Sequence, residues 1–332
     1  MFTSSHILKN IKSSFLYKDE LIICTGDGIF FYRENEPIKI SGIAPWFACI
    51  FGELFLFQED NGGAVHYFRK GNEVEHGILE GQFYLYRSMI DGRKIYLPHD
   101  GILQEFDHTL RFMGRYQVGR IPFAVHHGKY YRLFPHLSCF SLEDNGVQWT
   151  MENKDLLEEV GGIPQSYFYQ KNDLLIIRSK FINWHNFVTA FNPDNGAIAW
   201  QQRGQIPATT FLGDQIYGIF YLHLPDLRGR FTVIDSKTGD LLKDVDITNE
   251  LAAHGFRPSD YYLLAKQDSY LYIAAGYGKT LYAFNMDTAK IDWMQPVNTK
   301  AGWLSNMKLY NNRLFIIDEA EDMHVFARSP LN

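Results

Sequence analysis

One phrase recurs along this chain and limits what it can fold into. An apolar, aromatic strand runs into a short turn of Asn, Asp, Thr and Gly, and a second strand ending in a large side chain follows. It is written FVTAFNPDNGAIAW at Phe187–Trp200, FTVIDSKTGDLLKD at Phe231–Asp244 and SCFSLEDNGVQW at Ser138–Trp149. The stretch Asp268–Met294, DSYLYIAAGYGKTLYAFNMDTAKIDWM, holds the same phrase after a further apolar strand, LYIAA. Recurrence at about forty residues is the signature of a repeat architecture. The alternating or continuous apolar runs bounded by turn residues identify its unit as strands.

A β-hairpin precedes each copy of the phrase: an aromatic strand, a polar turn of two or three residues, and an apolar strand. Eight such hairpins can be read, at Ser14–Gly26, Trp46–Gln58, Phe83–Leu97, Pro122–Phe134, Ser166–Ser179, Thr209–Phe220, Tyr261–Ala275 and Trp303–Asp318. Spread over 332 residues they leave about 41 residues each, the length of a four-stranded propeller blade. The third strand follows as GIFFY (Gly28–Tyr32), AVHYF (Ala64–Phe68), GILQEF (Gly101–Phe106), LSCFSL (Leu137–Leu142) and MHVFA (Met323–Ala327). After MHVFA nothing remains to make a fourth strand, whereas Ser5–Ile11, SHILKNI, precedes the first hairpin and is itself strand-like. The expectation is therefore an all-β, closed β-propeller of eight four-stranded antiparallel blades, with seven as the alternative. Its N-terminal strand completes the last blade and so removes an exposed edge.

No composition shift marks a boundary, so residues 1–332 are read as a single domain. Two short helices are expected between blades. One lies at Met151–Gly161 (MENKDLLEEVG), the other at Ile247–Gly255 (ITNELAAHG) with Thr248 or Asn249 as its cap. A Pro/Gly-containing loop is expected at His223–Arg230.

The phrase strand–turn–(T/N)G-x-x-x-W, as carried by Cys139–Trp149, Phe187–Trp200, Phe231–Asp244 and Leu281–Trp293, resembles the repeat of the quinoprotein-type (PQQ-like) β-propellers. The match is best in residues 122–297 and faint in the first three blades. The resemblance implies that Trp149, Trp200 and Trp293 dock each blade on its neighbour. It also implies an altered contact in the sixth blade, where Lys243 or Asp244 stands in that place. The enzymes of the family hold pyrroloquinoline quinone and calcium in a central funnel. Their adjacent cysteine pair has no counterpart here, and no Glu/Asn/Asp set aligns with their calcium ligands. A divergent, non-catalytic relative is expected, because one fold hosts unrelated functions.

Cys24, Cys49 and Cys139 lack C-x-x-C spacing and sit in apolar runs, as buried thiols do. The first twenty residues show no secretory signal, and no apolar run is long enough to span a membrane. A cytoplasmic monomer is expected. The formal charge of −6 argues against a nucleic-acid surface and suits a basic protein partner.

No catalytic, cofactor-binding or metal-binding set is read from the sequence. His126-His127 adjoins a hairpin turn. Neighbouring strand residues face opposite ways, so the pair is read as turn residues that cannot share a metal. Trp184-His185 is read as a rim loop. Gly26-Asp27-Gly28 and Gly276-Tyr277-Gly278 are read as turns, because no helix follows to make a phosphate site. The candidate partner-binding residues are acidic: Glu152, Asp155, Glu158 and Glu159 on the first helix, and Asp318, Glu319, Glu321 and Asp322 in a turn of the eighth blade. The plainer reading of each cluster is a solvated acidic surface. The functional expectation is a non-enzymatic protein-binding propeller. In its sharper form it is a bacterial immunity protein that neutralises a basic toxin such as a nuclease. The alternative is a quinone-linked or small-molecule-binding propeller that uses its central funnel.

Overall fold

The structure is a computed structural model. It describes the chain except residues 1, 34–35, 72, 121, 123, 133–135, 152–166, 172, 181–185, 205–207, 223–227, 257–261, 276–278, 301 and 329–332. The described residues form eight antiparallel sheets of four strands each, the blades of the expected β-propeller. Each of the eight hairpins opens a blade, and in seven blades the four strands follow one another in sequence order. The exception is the eighth. Its strands Leu304–Tyr310, Arg313–Asp318 and Met323–Arg328 are completed by Phe2–Leu8, which pairs antiparallel with the last of them.

The contacts gather into two compact units. One comprises residues 15–160 with 191–197, the other residues 1–14, 161–190 and 198–332. In the first, Tyr17, Phe31, Phe55, Phe57 and Phe68 form an aromatic core between the first two blades. Phe55 and Phe68 stack there with centroids 4.9 Å apart. In the second, Phe2, Tyr272, Leu304, Leu314, Ile316 and Phe326 fill the space between the seventh and eighth blades.

The hydropathy of each strand follows its place in the blade. Second strands such as Leu54–Gln58 and Tyr270–Ala275 are covered on both faces, hence their unbroken apolar runs. Fourth strands such as Phe112–Gln117 and Leu241–Asp246 are mostly exposed and carry mixed sequence. The hairpin turns need left-handed backbone. Lys18-Asp19, His127-Gly128 and Asn311-Asn312 have positive φ at both central residues, the geometry that matches the twist of the flanking strands.

Three expectations change. Phe83–Ile90 is not one strand: Leu85–Arg87 is a 3-10 turn and pairing begins only at Met89. Phe83 and Leu85 are both buried in the core between the second and third blades, so the inside–outside alternation is real although the backbone is not extended. The loop expected at His223–Arg230 is shorter, because Arg228–Asp235 is already strand. The second helix forms at Thr248–Ala253, but neither Thr248 nor Asn249 caps it. The Asp246 carboxylate accepts the Thr248 N–H instead, at 2.9 Å. Gly255 (φ +64) then ends the helix, with the Phe256 N–H bonded to the Leu251 carbonyl. The helix expected at Met151–Gly161 lies outside the described residues, save that Met151 closes a strand.

Candidate functional site

The docking residues come first, because they fix where everything else sits. Between third and fourth strands a β-bulge recurs, at Cys139/Phe140, Val233/Ile234 and Ala283/Phe284. A bulge adds a residue and re-aims the next side chain. The residue after it is Trp149, Lys243 or Trp293, paired across from Cys139, Val233 and Ala283. The Trp149 indole N–H donates to the Pro193 carbonyl of the following blade at 3.0 Å and meets the Phe191 ring edge-on at 5.8 Å. Trp200 lies over Gly239 of the sixth blade, and Trp293 packs beside Phe2 of the eighth. All three tryptophans thus dock on the next blade, as the resemblance implies. Lys243 also reaches across: its ammonium donates to the Met286 carbonyl, the acceptor position equivalent to Pro193. The same bulge occurs at Ile29/Phe30 and Glu105/Phe106, but there the aimed residues are Ser41 and Gly114. The docking side chain is missing in both; in the first blade the turn is also shorter, with Arg33 paired to Glu36, and the pairing of the second blade's last two strands shows no bulge.

The acidic turn of the eighth blade divides in two. Asp318 is only 2% exposed. Its carboxylate accepts from the backbone N–H groups of Ala320 (2.9 Å) and Asp322 (3.0 Å), from the Thr299 hydroxyl, and lies 2.9 Å from Nε2 of His324. Burial pushes its carboxyl up, but the bonds from His324, Thr299 and the Asp322 amide outweigh that and hold it below the ordinary value. Glu319 and Glu321 are exposed. Glu319 accepts the Gly302 N–H at 2.9 Å, and Asp322 pairs with Lys9. Only Glu319, Glu321 and Asp322 therefore face solvent here. Glu152, Asp155, Glu158 and Glu159 lie outside the described residues, as do Trp184-His185 and Gly276-Tyr277-Gly278.

The histidine pair departs from expectation. The strand Ala124–His126 ends at its first histidine, and His127 turns left-handed at φ +48. The rule that neighbours face opposite ways holds for extended backbone and lapses at that turn. The two rings stack with centroids 3.8 Å apart, and both approach Asp91 of the third blade's hairpin. One Asp91 oxygen lies 3.3 Å from Nδ1 of His126, and the other accepts the His127 N–H at 2.6 Å. No disulfide joins the cysteines. Burial pushes the thiols of Cys49 and Cys139 up to about 11, so they are poor nucleophiles at neutral pH.

A surface aromatic cluster, with Trp46 exposed and Tyr84 and Tyr86 half-buried, was missed in the sequence. Trp46 is 52% exposed and meets Tyr86 edge-on at 5.3 Å. Tyr86 lies 6.1 Å from Tyr84, which packs on His99 at 5.0 Å. The Arg87 guanidinium sits 5.1 Å over the Tyr86 ring, and the Tyr84 hydroxyl donates to Asp100. The non-strand backbone beneath would leave polar groups unpaired in the core. Fully buried Gln58 satisfies them: its amide NH₂ donates to the carbonyls of Phe83 (2.8 Å) and Gly63 (2.6 Å), and its oxygen accepts the Leu85 N–H at 3.2 Å. With Phe83 and Leu85 held inward, Tyr84 and Tyr86 point out.

No protein-family model matches the chain, and no curated protein matches it in sequence. Among the solved structures similar to it are two that match along its length. BamB from Moraxella catarrhalis covers 100% of this chain and 99% of its own at 11% identity, with a TM-score of 0.44. The C-terminal WD40 domain of Sif2 covers 99% of each chain at 11% identity, with a TM-score of 0.60. Together with its eight sheets, the second likeness makes the chain a β-propeller in fold.

Proposed function

We propose that this protein is a non-catalytic binding platform whose ligand is another protein, and that it belongs to the divergent, cofactor-free edge of the quinoprotein-type repeat family. The observation that carries the reading is the cluster of Trp46, Tyr84 and Tyr86 with Arg87. Trp, Tyr and Arg are the side chains that dominate binding energy at protein interfaces. Trp46 and Arg87 are exposed and Tyr84 and Tyr86 half-buried, and the turn that carries Tyr84, Tyr86 and Arg87 is bonded by a buried glutamine, so little ordering entropy is lost on docking. In its finer form the partner is a basic toxin domain that a cytoplasmic, monomeric immunity protein neutralises. The net charge of −6 supports this, since long-range attraction would speed the encounter.

The test is purification of the C-terminally tagged chain from its own host, beside a Trp46→Ala/Tyr86→Ala variant. The expected result is a stoichiometric basic partner whose capture weakens with salt and is lost from the variant, while the variant melts as the parent does. Equal capture by both, or no stoichiometric partner at any salt, overturns the reading.

A further inference from the structure

Among the described residues, Asp91, His126 and His127 form a group of potential metal ligands in which one ligand atom from each lies within 4.8 Å of the others. We propose that these three side chains bind one divalent transition-metal ion of the zinc class, which joins the hairpin turns of the third and fourth blades. The inference is independent of the protein-binding function.

Three features carry it. The donor set is right: two imidazoles and a carboxylate suit zinc and its neighbours, with bonds of about 2.0–2.2 Å. Ligand atoms around such an ion stand roughly 3–4 Å apart, so the present spacing needs only a small closure. The group that moves is identifiable. His126 is buried and fixed, whereas His127 is exposed, and its ring can swing toward the Asp91 oxygen. The third feature is orientation. The Asp91 carboxylate is already aimed, because one of its oxygens holds the His127 N–H. Metal sites use such outer hydrogen bonds to fix their ligands.

The surroundings are compatible with added positive charge. Lys129, two residues beyond His127, is countered by Asp194 at 2.6 Å. Asp194 is exposed and is itself held below its ordinary value, chiefly by Lys129 and then by His127 and His126. A second carboxylate thus stands within electrostatic reach of both imidazoles. The three protein ligands leave a fourth position for water.

Isothermal titration of the full chain with zinc chloride, and visible absorption with cobalt(II), test the site. The expected result is one ion per chain, with the intense cobalt spectrum of a low-coordinate site and a rise in melting temperature on adding zinc. His127→Ala, on an exposed ring, should weaken binding at least about tenfold and abolish the melting shift. Asp91→Asn, which keeps an oxygen for the His127 N–H, should weaken it as well. His108→Ala, an exposed histidine elsewhere on the third blade, should change nothing. A stoichiometry other than one, no binding, or equal affinity in parent and His127→Ala overturns the proposal. Should Asp91→Asn fail to fold, His127→Ala decides alone.

Discussion

The indole of Trp149 and the carbonyl of Pro193 are bonded across 3.0 Å from one blade to the next, and the same indole lies flat against Gly196. A Cβ on Gly196 would stand 2.7 Å from the ring. Trp200 occupies the corresponding space over Gly239, where a Cβ would stand 2.5 Å from Cγ of the indole. Beside the slimmer Lys243, the matching turn residue is Ala289, with φ +55. Docking side chain and facing turn residue are thus paired in size: Trp with Gly, Lys with Ala.

Gly196→Ala should therefore destabilise the protein by about 2–3 kcal/mol, from overpacking together with left-handed backbone at φ +73. Combining it with Trp149→Lys should recover part of that loss in a double-mutant cycle. The measurement is the urea midpoint of the four proteins. Strict additivity would show that the two sites do not share the space.

The reciprocal exchange lies in the sixth and seventh blades. Lys243→Trp alone should destabilise, because the ring meets the Ala289 methyl, and Lys243→Trp/Ala289→Gly should be more stable than the single variant. Thermal melting of both checks this. A single variant as stable as the parent would mean that docking is not limited by the facing side chain.

Gln58 bonds three backbone groups around the turn, beside the turn's own bonds such as the Tyr84 N–H to the Pro98 carbonyl. Gln58→Leu leaves the Leu85 N–H and the carbonyls of Phe83 and Gly63 without it and should cost about 3 kcal/mol. Loss of the fixed turn should also loosen Tyr84 and Tyr86, read as faster acrylamide quenching of Trp46 in a variant that keeps only this tryptophan exposed. Unchanged stability would remove Gln58 from its role.

The Asp318–His324 pair sets an acid limit. The Asp318 carboxyl is held below its ordinary value of 3.8, so the folded chain binds fewer protons there than the unfolded one. Its contribution is complete above 3.8 and is lost as pH falls through the depressed value. Urea midpoints measured downward from pH 5 should fall over that range, and Asp318→Asn should flatten the fall. An equally steep fall in the variant would assign the acid sensitivity elsewhere.

Phe2 is 1% exposed and meets the Tyr272 ring edge-on at 5.2 Å. Phe2→Ala should cost about 3–5 kcal/mol, the range for a buried aromatic, despite lying at the second position of the chain. A cost below 1 kcal/mol would show that the first strand is dispensable.

The blades were legible because each hairpin writes its own period. The docking tryptophans were legible because the bulge fixes their distance from the turn. What stayed hidden depends on residues far apart in sequence or on one dihedral angle. FYLY alternates like a strand, and nothing local reveals that Gln58, twenty-five residues earlier, satisfies it as a turn. The run DEAED reads as an acidic surface, yet His324 and Thr299 draw its first carboxylate inside. His126 and His127 looked divergent until a left-handed φ at the second brought them to the same carboxylate.

Pairing Phe2 with Arg328 and Leu8 with Met323 also imposes an order on assembly. During translation Phe2–Leu8 has no partner until the ribosome has delivered Met323–Arg328. Its closure joins Phe2–Leu8 to Met323–Arg328, a pairing of very long sequence separation and so of high loop-closure cost. Until then the seventh blade lacks the neighbour that covers Tyr272 and Leu281. A bulky N-terminal fusion should therefore hinder the step that brings Phe2 onto Tyr272.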